Sequence, residues 1–237
     1  MSGEGRARFR QLALHLTLAD HCSFANYCDG PNRAAVHAVR EQAAGRGAQT
    51  CHLYGPAGVG RTHLLQSACR EVDRHGGRAV YLPLGELAAG GPGVLQGLGE
   101  LAAVCVDDLQ AIAGDPAWER ALFRLCNDLR EHGGRLLAAA DGPPGGIGLH
   151  LPDLSSRLAW GLVFRLQPLD DEDRLRALQL RARHRGLVLS DEAGRYLLRR
   201  QPRDPATLFR LLDGLDHAAL AAQRRLTIPF LREMLGS

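Results

Sequence analysis

Apolar and polar positions follow two regimes along this chain. Up to about residue 168, short apolar runs alternate with stretches of helical spacing; beyond it only helical spacing continues. The runs "TCHLY" (50–54), "RAVYLPL" (78–84), "AAVCVDD" (102–108), "RLLAAAD" (135–141) and "LVFRLQPL" (162–169) predict strands. Pro83 confines the second of these to a sheet edge or ends it. Between them, helices are predicted over 31–45, over "RTHLLQSACREVDRHGG" closing on Gly76 and Gly77, over a Gly-rich 86–100, over 117–132 and over "LPDLSSRLAWG". "GPPGGIG" (142–148) reads as a loop. Strand–helix alternation of this kind predicts a parallel sheet covered by helices on both faces. From Asp170 the helical stretches are 170–184, 190–200, 204–223 and 229–236, broken at Gly186, Pro202 and Pro229. The fold class expected is therefore α/β, an α/β core over 21–168 followed by a small helical domain over 169–237.

Composition changes this picture little. With 237 residues and 45% hydrophobic content the chain can bury a proper core, and with only 5% aromatics that core must be Leu, Ala and Val. There is no lysine: all 29 basic side chains are arginine, a bias acting on the whole sequence. The net charge of +3 is spread thinly and forms no basic tail of the kind that marks nucleic-acid binding. The six cysteines show no C-x-x-C pair and no zinc-like spacing, so buried free thiols in a reducing cytoplasm are expected. No apolar run reaches the length of a membrane span. "GRARFRQLALHLTLAD" is basic then apolar, but His15 interrupts the run and Asp20 and His21 end it, which excludes a signal peptide.

The chemistry begins at "GPAGVGRTH", Gly55 to His63, which has the spacing of a phosphate-binding loop with Arg61 in place of the usual lysine. Gly55, Gly58 and Gly60 permit a tight loop through Pro56, Ala57 and Val59 whose N–H groups meet phosphate oxygens at a helix N-terminus. Thr62 is placed to ligate Mg²⁺, and Arg61 supplies counter-charge, although a guanidinium does not replace a compact ammonium there. One strand–helix unit later, "VCVDD" ends a buried strand in Asp107, positioned for Mg²⁺, and Asp108, positioned to polarise an attacking water. Asp141 ends the next strand and either faces a γ-phosphate or is a turn residue. Arg157, read as exposed just before the last strand, is either an arginine finger for a neighbouring molecule's nucleotide or a surface arginine.

In this order the pieces resemble the AAA+ family and, within it, the bacterial replication initiator DnaA and its regulatory inactivator family, Hda. "SFANYCDGPNRAAVHAV" looks like the entry to the initiator's nucleotide domain, which implies Phe24 and Tyr27 near the adenine. "VDDLQAIAG" looks like its acid-bearing strand and "SRLAWG" like its arginine-finger box. "GRTHLLQSAC", "IAGD" with Trp118 close behind, "LPDLSSRLAWG", "LQPLDDEDRLRALQLRARHRG" and "AQRRLTIPF" are similar to the Hda family in sequence and order, over essentially residues 9–236. That family also carries arginine in the phosphate loop. The resemblance makes 1–20 a clamp-binding segment: "QLALHL" matches Q-L-x-L-x-L, with Gln11 hydrogen-bonding and Leu12, Leu14 and Leu16 filling a pocket of the DNA polymerase sliding clamp (beta subunit). His15 stands where the family usually has proline. The family's second sensor arginine falls on Ala206, beside Pro205, with Arg203 a displaced substitute. No segment matches the initiator's helix-turn-helix or its N-terminal oligomerisation domain.

What the resemblance implies is a cytoplasmic negative regulator of replication initiation that is not itself an enzyme. It would bind ADP (ATP or another nucleotide being open) and Mg²⁺, sit on a DNA-loaded clamp, and insert Arg157 toward the ATP of the initiator DnaA. DNA is met through the clamp, no membrane is involved, and a homo-oligomer is left open. The competing readings are an autonomous P-loop ATPase of the helicase-loader type that binds single-stranded DNA, and a small-molecule kinase. The first needs a lysine equivalent and a basic, aromatic-bearing channel. The second conflicts with the long helical C-terminal region and the missing acceptor site.

Overall fold

The computed structural model describes residues 22–200. In chain order, helix α1 (Arg33–Ala43) precedes strand β1 (Thr50–Tyr54) and helix α2 (Arg61–Arg74). Strand β2 (Ala79–Pro83), the short helix α3 (Leu84–Leu87) and strand β3 (Ala103–Asp107) follow. Helix α4 (Pro116–Glu131), strand β4 (Arg135–Ala140), helix α5 (Pro152–Ala159) and strand β5 (Leu162–Arg165) complete the α/β part, and helices α6 (Asp171–His184) and α7 (Asp191–Arg200) come last.

The five strands form one sheet in the order β2-β3-β4-β1-β5, and every pairing is parallel. All five residues of β3 are buried, as a continuous apolar run between two helical layers requires. On one face Leu82, Val104, Val106, Leu136 and Ala138 pack with Leu122, Leu125 and Leu129 of α4 and Leu154 and Leu158 of α5. β2 is an edge strand that stops at Pro83, which has no N–H to continue a ladder.

One predicted helix is corrected. Over 86–100 the chain leaves α3 at once and makes 3-10 turns at Ala88–Gly90, Pro92–Leu95 and Leu98–Glu100. Gly91 (φ 78°) and Gly97 (φ 75°) break the helical path, and a side chain at Gly99 would collide with Asp128 of α4. The predicted 31–45 helix is α1 with a 3-10 turn, Gly30–Asn32, before it and left-handed Gly45 after it. Four of the six free thiols are buried; Cys28 and Cys126 are half-buried. Burial pushes the Cys51 and Cys126 thiols up to about 12.

The described residues divide into two compact units, one holding 22–24 and Asn32–Leu166, the other Ala25–Pro31 with the chain from Gln167 on. In the second, α6 is capped by Asp170, whose carboxylate accepts from the Asp173 N–H at 2.7 Å. Gly30 (φ 47°) lies against Leu169 and Asp173, and a Cβ there would come within 2.6 Å of Leu169 Cδ2. Arg195 of α7 grips Glu172 of α6 with two hydrogen bonds, and Gly194 lets Leu175 press close. Two of the predicted C-terminal helices, 204–223 and 229–236, the segment 1–20 with its clamp-binding residues, and the stretch 203–206 lie outside the described residues.

A phosphate-loop site at the C-terminal ends of the strands

The loop between β1 and α2 is shaped by its glycines. Gly55 (φ 150°), Gly58 (φ 79°) and Gly60 (φ 95°) all take backbone conformations that other residues resist. At Gly55 a Cβ would also come within 2.6 Å of the Leu166 carbonyl oxygen. Gly60 is the N-cap of α2 and offers no side-chain acceptor to the first helical turn, so that turn presents its positive end to whatever occupies the loop. Pro56, Ala57 and Gly58 are exposed at the rim, while Val59 is tucked inside. The imidazole of His63 reaches back to the Ser23 carbonyl, with Nε2 at 2.9 Å.

Asp107 is the centre of the polar network. Its Oδ2 accepts from Thr62 Oγ1 at 2.6 Å and from the Tyr81 hydroxyl at 2.9 Å, and its Oδ1 accepts from the Asp108 N–H at 3.0 Å. Burial raises its carboxyl above the usual carboxylate range; the Asp108 charge adds to this, and the hydrogen bonds from Thr62, Tyr81 and Asp108 oppose it. One hydroxyl and one carboxylate, side by side on the end of a buried strand and the first turn of a helix, fit a Mg²⁺ that takes its other oxygens from phosphates and water. Among the described residues there is no cluster of three or more His, Cys, Asp or Glu side chains able to hold a metal by themselves.

Asp108 is the one described non-glycine residue with positive φ (53°). Strain of this kind costs of order 1–3 kcal/mol and gathers at functional sites. The strained backbone turns its carboxylate toward Gln110, whose Nε2 donates to Asp108 Oδ1 at 3.2 Å. Gln110 Oε1 in turn accepts from the Asp141 N–H at 3.3 Å, so one amide ties the acid after β3 to the residue after β4. Asp141 itself is exposed, one position beyond the end of β4. Tyr81 and Gln110 are site residues that pattern reading does not reveal, because neither type announces its partner in sequence.

Arg61 is half-buried and donates through Nη1 to the Ala140 carbonyl. Near it lies His52 of β1, fully buried, with Nε2 donating to the Gly142 carbonyl at 3.0 Å. Burial lowers the pKa of this histidine; the Gly142 bond opposes that, and the Arg61 charge reinforces it. Phe24 belongs to the α/β unit, with the Arg40 guanidinium 5.1 Å over its ring, whereas Tyr27 belongs to the second unit, where burial raises its hydroxyl pKa.

Arg157 is elsewhere. It sits on α5 at the opposite end of the sheet, beside a cavity of about 340 Å³ that also meets Thr50 and Leu136 at the starts of β1 and β4. Instead of standing exposed it is half-buried: its guanidinium lies 4.3 Å over the Trp160 ring and 5.9 Å from the centre of Phe123. Its Nη1 is buried with no hydrogen-bond partner. The loop leading into α5 is pinned by Glu119 of α4, which accepts from the N–H groups of Gly114 (2.7 Å), His150 (3.0 Å) and Leu151 (2.6 Å). Burial would raise this carboxyl, but those donors outweigh it and hold it below its ordinary value.

A five-stranded parallel sheet in this order, with a phosphate loop after the interior strand β1 and an acid pair at the end of β3, defines an AAA+ nucleotide-binding core followed by a helical lid region. Residues 18–87 match the bacterial DnaA ATPase domain and residues 171–235 match the lid domain of Hda. Together the two matches mark a DnaA-related AAA+ protein that carries an Hda lid domain. Its fold is that of domain III of the Thermotoga maritima initiator DnaA (TM-score 0.76, 24% identity, 93% of this chain and 98% of that one). It is also similar to AMPPCP-bound DnaA from Aquifex aeolicus (TM-score 0.67, 24% identity, 83% and 66%). A third similar structure is the RuvB Holliday junction branch migration motor of Thermotoga maritima (TM-score 0.59, 17% identity, 86% and 67%). Nucleotide binding follows from the AAA+ phosphate-loop domain. Among the described residues no helix is long and apolar enough to cross a membrane.

Proposed function

We propose that this protein is an ADP-holding regulator that, beside a DNA-loaded sliding clamp, drives hydrolysis of the ATP bound to the initiator DnaA. The observation that carries the reading is the separation of two parts within one α/β unit. The phosphate loop lies at the C-terminal ends of the strands, while Arg157 lies at their N-terminal ends, so the arginine has no access to its own loop. An arginine finger in that place serves a second molecule.

In its own site, the Gly55–Gly60 loop and the first turn of α2 would hold the phosphates, and Thr62 and Asp107 would hold Mg²⁺, which would supply neutralising positive charge. Asp108 and the Asp141 main chain are tied through Gln110 at the same end of the sheet, which puts both acids within the region where a γ-phosphate would lie. Arg61, engaged by the Ala140 carbonyl, shields phosphate charge less directly than a lysine would, so turnover by this chain alone is slow. In trans, Arg157 meets charge that develops on the partner's transferring phosphate. Fingers of this kind accelerate hydrolysis by roughly 10³–10⁵. The segment containing Gln11, Leu12, Leu14 and Leu16 docks in the clamp pocket, and co-residence on one clamp makes the encounter effectively intramolecular.

The test measures ADP formed from ATP-bound initiator in the presence of DNA-loaded clamp and this protein. Arg157→Ala is expected to lose at least about 10³-fold of the stimulation while retaining ADP and clamp binding. Arg157→Lys is expected to recover little, because a point charge on a flexible stem does not reproduce the guanidinium fork. Wild-type rates with the alanine variant would sink the assignment.

A further inference from the structure

Trp160 follows directly on α5 and is 68% exposed, which is unusual for the largest apolar side chain. The other tryptophan shows what a purely structural one looks like in this chain. Trp118 is 2% exposed, packs in the core, and donates through Nε1 to the Ala88 carbonyl at 3.2 Å. Trp160 instead presents its ring to cations. The Arg157 guanidinium lies 4.3 Å from the ring centroid and that of Arg130 lies 5.2 Å from it.

The same contact explains how Arg157 is held. Its Nη1 is buried without a hydrogen-bond partner, so its place is set by ring contacts to Trp160 and, more distantly at 5.9 Å, to Phe123. A buried donor left unsatisfied is costly, and a strong acceptor arriving from outside would relieve that cost. An indole face holds a guanidinium by a contact worth about 2- to 30-fold in population. That is enough to narrow the side chain's conformations, yet a ring face takes none of the guanidinium's N–H donors, so they stay unspent for a phosphate that draws the side chain outward.

We propose that Trp160 is the positioning residue for the Arg157 guanidinium. Its indole keeps the side chain half-dry and oriented at the N-terminal ends of the strands until a partner's phosphate oxygens replace it. This rests on the assignment of Arg157 as the arginine that acts in trans.

Two measurements test it. In the isolated protein, acrylamide quenching of tryptophan emission reports on Trp160, because Trp118 is buried. Arg157→Ala is expected to raise that quenching by uncovering one side of the ring; unchanged quenching overturns the stack. In the initiator assay with loaded clamp, Trp160→Ala is expected to lower the rate at saturating protein about tenfold, in the range a cation–π contact commands, with the half-saturating concentration little changed. Trp160→Phe should recover most of that loss, since a smaller ring still offers a face. A raised half-saturating concentration with an intact maximal rate would make Trp160 a docking contact and overturn the positioning role. So would an unchanged rate in Trp160→Ala when Arg157→Ala has lost stimulation, and in that case the function itself stands. Absence of stimulation by the unaltered protein overturns both together.

Discussion

The two ends of the sheet are built on opposite principles. At the C-terminal end, Asp107 takes hydrogen bonds on both oxygens, Gln110 ties Asp108 to Asp141, and three glycines shape a loop that other residues would distort. At the N-terminal end an arginine nitrogen is buried without a partner, a tryptophan is exposed, and the contacts between them are ring faces. Polar satisfaction specifies one geometry and resists change, whereas an unsatisfied donor is a standing demand for an acceptor. On the proposed reading the first end holds a ligand and the second offers a charge, and within one molecule the two lie at opposite ends of the same strands.

The strongest way to break the holding end is Gly55→Ala. The methyl group would enter a position 2.6 Å from the Leu166 carbonyl oxygen, at a φ of 150° that L-residues rarely adopt. A loss of about 2–3 kcal/mol in unfolding free energy is expected, together with loss of ADP binding. Thermal unfolding and nucleotide titration read the two effects. Since Gly55 is remote from Arg157, acrylamide quenching of Trp160 should stay as it was, and a change there would show that the two ends are coupled.

Much of the holding end is legible in sequence because its physics is local. Buried parallel strands must be continuous apolar runs, a phosphate loop must have glycine at its left-handed positions, and the acid after β3 is placed by the strand itself. What escapes is whatever depends on where a side chain turns. Tyr81 reaches across from β2 to Asp107, Arg61 finds a backbone carbonyl at the end of β4, and His52 lies inside β1 against Gly142. The stretch 86–100 misleads for another reason: scattered leucines at helical spacing survive among glycines that force 3-10 turns. At the offering end the arginine is visible in "SRLAWG", with Trp160 three residues along at the C-cap of the same helix, but its half-buried state is not, because Phe123 meets it only after α4 and α5 pack.

Asp107→Asn separates stability from binding at the holding end. The amide oxygen can keep the fixed Asp108 N–H, and the amide nitrogen can donate to the hydroxyl of Thr62 or Tyr81, which rotate to accept. The variant therefore removes a charge that burial disfavours without orphaning its neighbours. The apo protein should melt at a higher temperature, while Mg²⁺-dependent ADP affinity should fall about tenfold, the scale of one charge-assisted contact. The pH dependence has a definite sign. The folded-state pKa is raised above the ordinary 3.8, so this group's contribution is fully present below that value and is lost as pH rises through the folded pKa. Stability of the unaltered apo protein should accordingly decline with rising pH across that window, and Asp107→Asn should flatten the slope. A steeper slope in the variant would place the titration on another group.

The smallest expected effect sharpens the offering end. Arg130 lies over the same indole as Arg157 but at 5.2 Å instead of 4.3 Å, and it belongs to the last turn of α4, where its charge also favours the helix C-terminus. If the ring's task is to place Arg157, the second cation is an accessory that competes mildly for the same π density. Arg130→Ala should cost about 0.5 kcal/mol or less in stability, as exposed cation–π and helix-end charges do. It should leave the stimulated hydrolysis rate within about twofold, the equivalent of the same energy. Acrylamide quenching of Trp160 should rise less than in Arg157→Ala, since the closer guanidinium remains. A loss of stimulation as large as that of Arg157→Ala would instead make the pair of arginines the functional unit, with charge density at this end mattering more than the placement of one side chain.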